Sequence, residues 1–222
     1  MVKTHLLLIN DLCGYGKVAT AAMLPILSYL GVPTFNLPTA LVSNTLDYGK
    51  FNILDTTDYI QGVFPVWRQL GFRFDAIATG FIASERQARI ISQYCLEEEK
   101  KGATIFVDPI MGDEGKLYNG VTPATIQSMR EMVAVADLIY PNHTEACYLT
   151  GHDYNPQGVT RAEAFTLLHK PLVPNRCSSH PSPSTDSTAW PATITPTASI
   201  SCSTTLRYLF TFQAPATSSR LC

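Results

Sequence analysis

The sequence predicts an α/β fold built on a doubly wound, mostly parallel sheet, and three observations carry that prediction. Short apolar runs recur along residues 5–140, capped helical segments alternate with them, and glycine or proline punctuates the junctions. Residues 5–10 (HLLLIN) read as a strand buried on both faces, and residues 11–16 (DLCGYG) as a glycine-bearing turn. Residues 17–30 are helical in tendency, with Pro25 as a kink and Gly31 as a stop, and a second strand follows over 32–37. Thr56 or Thr57 caps a helix that runs to Leu70 and closes at Gly71, and 75–79 (DAIAT) supplies the next strand. Ser84 and Gln87 form a capping box for a helix that ends near Gly102, and its acidic run 97–99 reads as a solvated face. Residues 103–107 (ATIFV) form a strand ending at Asp108, and Thr122-Pro123 opens another helix. Residues 137–140 (DLIY) form the last strand of the series, and Thr160 with Glu163 caps a final helix reaching His169.

Composition bounds the function class. The 222 residues carry 16 Lys+Arg against 18 Asp+Glu, with 45% hydrophobic residues, which argues against a polyanion-binding surface. No run approaches the roughly 18 apolar residues of a membrane span, so a soluble, untargeted, cytoplasmic protein is expected. The six cysteines show no CxxC spacing, which favours free thiols over disulfides or zinc. Composition changes abruptly near residue 172. Residues 173–222 hold 25 Ser, Thr or Pro and no Gly, Lys or Glu, whereas all 13 glycines lie upstream. The expected division is therefore a domain over 1–172 and a Ser/Thr/Pro-rich, disordered tail over 173–222. A glycosylated stalk, a flexible linker and a shifted reading frame remain open as origins of that tail.

In parallel sheets ligands gather at the carboxyl ends of strands, where Asp11, Thr79-Gly80-Phe81, Asp108 and Asn142 all fall. The segment 108–118 (DPIMGDEGKLY) sets Asp108 and Asp113 five positions apart on a glycine-opened loop, suited to Mg²⁺ beside a nucleotide phosphate. An acidic surface loop is the alternative that spacing leaves open. In 141–145 (PNHTE), Asn142 and Glu145 lie three apart at a helix start, where they either face one metal–water cluster or act as cap and first-turn acid.

Together, DPIMGDEGKLY followed by PNHTEA resembles the ribokinase superfamily, in particular its vitamin B6 branch, the pyridoxal and pyridoxamine kinases. The segments at 6–27 (LLLINDLCGYGKVATAAMLPIL) and 38–49 (PTALVSNTLDYG) resemble the pyridine-binding half of that branch, so the likeness spans residues 5–170. It implies ATP-dependent phosphorylation of the 5′-hydroxymethyl of pyridoxal, pyridoxine or pyridoxamine, with ATP and Mg²⁺ as cofactors and a homodimer as the assembly. Hydroxymethylpyrimidine kinase activity and a non-catalytic B6-binding fragment are the alternatives.

Carried over by position, the resemblance has Asn10 or Asp11 hydrogen-bond the polar edge of the pyridine, with Tyr15, Ser43, Asn44, Thr45 and Phe81 enclosing the ring. Many relatives carry Ser-His where this chain has Asn10-Asp11. It assigns ATP to Asp108, Asp113, Tyr118, Asn142 and Glu145, and the metal to Asp113 and Glu145. The catalytic base of the superfamily is an Asp in a G-x-G-D turn well downstream of the Asn142/Glu145 motif. Residues 173–222 hold no glycine, and their only acid is Asp186, so the C-terminal part of the fold is expected to be missing or replaced and activity impaired.

Overall fold

The computed structural model describes residues 5–160, Glu163 and the backbone of two dipeptides further on. In chain order the elements are β1 (Leu6–Cys13), α1 (Ala19–Tyr29), β2 (Thr34–Val42), a 3-10 turn (Leu46–Tyr48), β3 (Ile53–Asp55), α2 (Thr57–Leu70), β4 (Ala76–Thr79) and α3 (Glu85–Glu99). They continue with β5 (Thr104–Val107), β6 (Gly112–Asp113), β7 (Lys116–Leu117), α4 (Pro123–Val133), β8 (Leu138–Ile139), α5 (His143–Thr150), β9 (Ile200–Ser201) and β10 (Arg207–Tyr208).

The main sheet has the order β3-β2-β1-β4-β5-β8-β10-β9. Strands β2, β1, β4, β5, β8 and β10 pair in parallel, while β3 and β9 join antiparallel at the two edges. From β1 the chain first moves outward to β2 and later the opposite way through β4, β5 and β8. Right-handed crossovers therefore place α1 on one face and α3 and α4 on the other, the doubly wound arrangement. The main core fills the second face. Alternate strand residues Leu7, Ile9, Ile77, Ile105, Val107 and Ile139 meet Ile60 and Phe64 of α2, Ile91 and Tyr94 of α3, and Met129 and Met132 of α4. Phe64 and Tyr94 stack with centroids 3.7 Å apart and planes 4° from parallel. Phe64→Ala should therefore cost about 3–5 kcal/mol, read as the shift in a urea denaturation midpoint at unchanged slope.

Local signals explain most boundaries. Helix α2 ends at Gly71, whose φ of 70° gives the left-handed C-cap, and Gly31 at φ 69° turns the chain out of α1. Pro123 stands at the first position of α4 behind Thr122, which shares a capping box with Thr125. Thr160 and Glu163 also cap each other, through Thr160 N to Glu163 Oε2 at 2.7 Å and Glu163 N to Thr160 Oγ1 at 3.3 Å. The helix expected beyond them, the tail over 173–222 apart from four residues in β9 and β10, and Asp186 lie outside the described residues.

Three expectations need correction. Strand β1 does not stop at Asn10 but continues to Cys13, because Thr39 and Ala40 bulge on β2 opposite Asp11 and let the pairing resume at Leu12–Leu41. Asp11 therefore sits inside the strand's irregular end, and the turn starts at Gly14. The acidic run of α3 is not a solvated face: Glu98 is buried, with Lys101 Nζ 2.6 Å from its Oε1, while Glu97 pairs with Arg68. Gln87 is likewise more than a cap. Its Oε1 accepts from Ala83 N at 2.9 Å, and its buried Nε2 donates to Thr39 O at 2.8 Å, tying α3 to the sheet.

Candidate functional site

The carboxyl ends of β1, β4, β5 and β8 open into a cavity of about 440 Å³. On one side stand Asp11 and Cys13 from β1, Val42 from β2 and Phe81 just after β4. The other wall is formed by Asp108 and Ile110 after β5, Tyr118 after β7, and Tyr140, Asn142 and Glu145 around the start of α5. Thr45 and Asp47, at the 3-10 turn, bridge the two.

Seven of the residues singled out in the sequence thus share one cavity: Asp11, Thr45, Phe81, Asp108, Tyr118, Asn142 and Glu145. Five others do not line it. Asn10 is buried behind the wall, and its Oδ1 accepts from Asp11 N at 3.0 Å and Phe81 N at 2.9 Å. Tyr15 is exposed and packs edge-on against Tyr48. Ser43 and Asn44 hydrogen-bond each other at 2.7 Å, and Asn44 Nδ2 donates to Lys50 O at 2.9 Å, which shapes the loop between β2 and β3. Asp113 is exposed on the hairpin and accepts from Glu114 N at 2.8 Å.

The hairpin itself was not legible in the sequence. Strands β6 and β7 pair antiparallel around Glu114 and Gly115, at φ 49° and 79°, the two positive values of a type I′ turn. Helix α5 holds it in place. Asn142 Nδ2 donates to Gly112 O at 2.8 Å, Gly115 N to Thr144 Oγ1 at 2.8 Å, and Met111 N to Glu145 Oε1 at 3.1 Å. Asn142 and Glu145 also form a reciprocal capping box: Glu145 N donates to Asn142 Oδ1 at 2.9 Å and Asn142 N to Glu145 Oε2 at 2.8 Å. The cap reading of this pair is therefore realised, and both capping residues also line the cavity.

The cavity is acidic. Asp11, Asp47, Asp108 and Glu145 line it, and no Lys, Arg or His does so among the described residues. Asp108 is reachable from the cavity yet crowded by protein on most sides, and this desolvation pushes its pKa up to about 6. Burial pushes Glu145 further, to about 8, against the pull of the Asn142 and Met111 amides and with help from the negative charges of Asp108 and Asp113. Asp11 is also raised by burial. Tyr118 rises to about 12, first through burial and then through the surrounding carboxylates, so its hydroxyl remains a donor at neutral pH. Asp47 and Tyr140 are cavity residues that sequence reasoning missed. Tyr140 closes the predicted strand and stacks on Phe106, with centroids 6.1 Å apart, a position that strand-end logic could have flagged. Asp47 falls inside the 38–49 segment (PTALVSNTLDYG), but nothing in its spacing singled it out.

Residues 26–174 match the phosphomethylpyrimidine kinase family. A pyridoxine/pyridoxal/pyridoxamine kinase of Bordetella avium is 31% identical over 167 residues, covering 71% of this chain and 55% of that protein. Among solved structures, a Bacteroides thetaiotaomicron protein assigned as a phosphomethylpyrimidine kinase and crystallised with pyridoxal is 35% identical. Its TM-score is 0.71, and the match covers 74% of this chain and 57% of the other. Pyridoxal kinase from Lactobacillus plantarum is 29% identical at a TM-score of 0.67, covering 78% and 61%. The chain spans about half the length of the curated relatives it matches. The family match takes in β2 through β8 in chain order and the second wall of the cavity, and by these likenesses the chain belongs to the phosphomethylpyrimidine kinase family, on the pyridoxal kinase side of the ribokinase superfamily.

Proposed function

We propose that the cavity binds a B6 vitamer and that the chain descends from an ATP-dependent kinase acting on the vitamer's 5′-hydroxymethyl group. The carrying observation is that Asp11 and Phe81 on one wall face Asp108, Asn142 and Glu145 on the other, at the carboxyl rim of a parallel sheet. The first wall offers an aromatic surface and a hydrogen-bonding carboxylate, suited to a substituted pyridine. The likeness to a protein crystallised with pyridoxal supports the same assignment.

The second wall suits a nucleotide only if a cation accompanies it. A polyphosphate entering alone would meet the carboxylates of Asp108 and Asp47 with, among the described residues, no positive side chain in the lining to offset them, so Mg²⁺ bound to the nucleotide fits this chemistry. The second wall presents oxygen donors, from Asp108, Tyr118, Asn142 and Glu145, which suits a hard cation. On the second wall Asp108 is the carboxylate open to it. Both oxygens of Glu145 already accept backbone amides, so Glu145 would reach a metal through water. Asp113 lies outside the cavity lining, and among the described residues no three acidic, His or Cys side chains converge on one point. When bound, the metal would neutralise charge on the transferring phosphoryl group. The chain's own part is to seat the vitamer, place Asp108 against the metal nucleotide and keep the Tyr118 hydroxyl as a donor.

A homodimer in the cytoplasm completes the reading. Cys13, Cys95 and Cys147 are free and buried, in keeping with a reducing compartment, and among the described residues no helix is long and apolar enough to cross a membrane. The test is calorimetric titration of the purified chain with pyridoxine, pyridoxamine and hydroxymethylpyrimidine. Saturable binding of the two vitamers, with hydroxymethylpyrimidine weaker, is the expected outcome. Tighter binding of the pyrimidine would move the assignment to thiamin precursors, and no binding of any of the three would end it.

A further inference from the structure

The ladder between β1 and β4 ends at the pair Ile9–Thr79, with one last backbone bond from Gly80 N to Ile9 O at 2.9 Å. Beyond that point Asp11 and Phe81, which both face the cavity, have no backbone bond to each other. The side chain of Asn10 stands in for the missing rung. Its Oδ1 accepts from both Asp11 N and Phe81 N, at 3.0 and 2.9 Å, so both lone pairs of one oxygen are used in joining the backbone of two neighbouring strand ends. The residue is only 4% exposed and does not line the cavity. Gly80 makes the arrangement possible: a Cβ there would collide with the Asn10 amide itself.

We propose that Asn10 is a positioning residue that fixes the separation of Asp11 and Phe81 and so presets the ring-binding wall, without touching the ligand. This rests on the B6 reading of the cavity and replaces direct recognition of the pyridine edge by Asn10. A side chain acting in this way affects every vitamer alike, because it moves the wall and not one contact. A side chain that touches the ring affects most the ligand carrying the group it touches.

The experiment compares the wild-type chain with Asn10→Leu, which removes the acceptor, Asn10→Asp, which keeps an acceptor oxygen in place, and Gly80→Ala, which drives the amide out. Calorimetric titrations with pyridoxine, pyridoxamine and 3-deoxypyridoxine should show Asn10→Leu and Gly80→Ala weakening all three by a similar factor, about tenfold or more, with Asn10→Asp restoring most of the affinity. In ligand-free ¹⁵N–¹H spectra the Asp11 and Phe81 amides should shift together in the Leu and Ala variants. A loss confined to ligands with the 3-hydroxyl, or unshifted Asp11 and Phe81 amides in Asn10→Leu, would overturn the proposal. Hydrogen exchange in the wild-type chain covers the case of variants that do not fold: the Phe81 amide should be protected, and fast exchange would count against the clamp. If the wild type binds no vitamer the B6 reading fails, while the amide shifts and exchange still judge the role of Asn10.

Discussion

Glu145→Ala should destabilise the domain by about 2–4 kcal/mol, because it strips a capping box and leaves the buried Met111 amide without an acceptor. Glu145 is 3% exposed and accepts from Met111 N and Asn142 N with its two oxygens. Glu145→Gln keeps the shape but turns an NH₂ toward one of those amides, so a smaller loss is expected, with the hairpin's Met111 amide exchanging faster in both variants. A Met111 amide as protected in Glu145→Ala as in the wild type would show that Glu145 does not anchor the hairpin.

The same group makes stability depend on pH with a defined sign. Glu145 titrates near 8 in the folded chain against an ordinary 4.5, and Asp108 near 6 against 3.8. Each folded-state pKa lies above its unfolded value, so between the two the folded chain binds more protons, and stability falls as pH rises through the window. The thermal midpoint should therefore decline from about pH 5 to pH 8, and Glu145→Gln should flatten the part above pH 6. A midpoint that climbs across that range would contradict the desolvation of both carboxylates.

The fold was legible where an element carried its own punctuation. Helix α2 ends at Gly71, as its stop residue indicates, but its start is capped by Asp55, whose Oδ1 accepts from Thr57 N at 2.7 Å, while Thr56 makes no side-chain cap bond; α3 and α4 begin where Ser84 and Thr122 place them. What escaped was pairing set by tertiary contact. Strand β3 is three residues long and exists because it adds antiparallel to β2, and no period-2 pattern that short is distinguishable from a loop. The burial of Glu98 escaped because its neighbours Glu97 and Glu99 gave the run a solvated look, while Glu98 falls at helical spacing on the face of α3 that buries Ile91, Tyr94 and Cys95.

The site was legible as chemistry more than as geometry. Strand-end logic drew Asp11, Phe81, Asp108 and Asn142 together, and they do meet in one cavity. It failed to separate residues that line the cavity from those that hold the lining in place. Asn10 and Asp11 are adjacent in sequence, yet strand alternation and the β2 bulge point one behind the wall and open the other into it. Asp113 sits in the most conspicuous motif, but it follows buried Gly112 on β6, so strand alternation turns it outward beside the Glu114-Gly115 turn, in a hairpin too short to show a period in the sequence.

The largest expected effect concerns turnover. In assays with saturating ATP, Mg²⁺ and pyridoxine, the 222-residue chain should form phosphate ester about 10³-fold or more slowly than a chimera joining residues 1–160 to the C-terminal part of the Bordetella avium kinase. A positioned base contributes typically about 10²–10⁴-fold and an anion-hole donor about 10²–10³-fold, and since the two act on one transition state their losses do not simply multiply. The resemblance assigns both to a G-x-G-D turn, and residues 173–222 contain no glycine with which to build one. The walls formed by Asp11, Phe81, Asp108 and Glu145 all lie within residues 5–160, so vitamer binding should survive even where turnover falls. That split between binding and rate is the signature to look for. Comparable rates in the two proteins would mean that the chain supplies its own base, and the only acid downstream of residue 172 is Asp186, so Asp186→Asn would then abolish the activity and identify it.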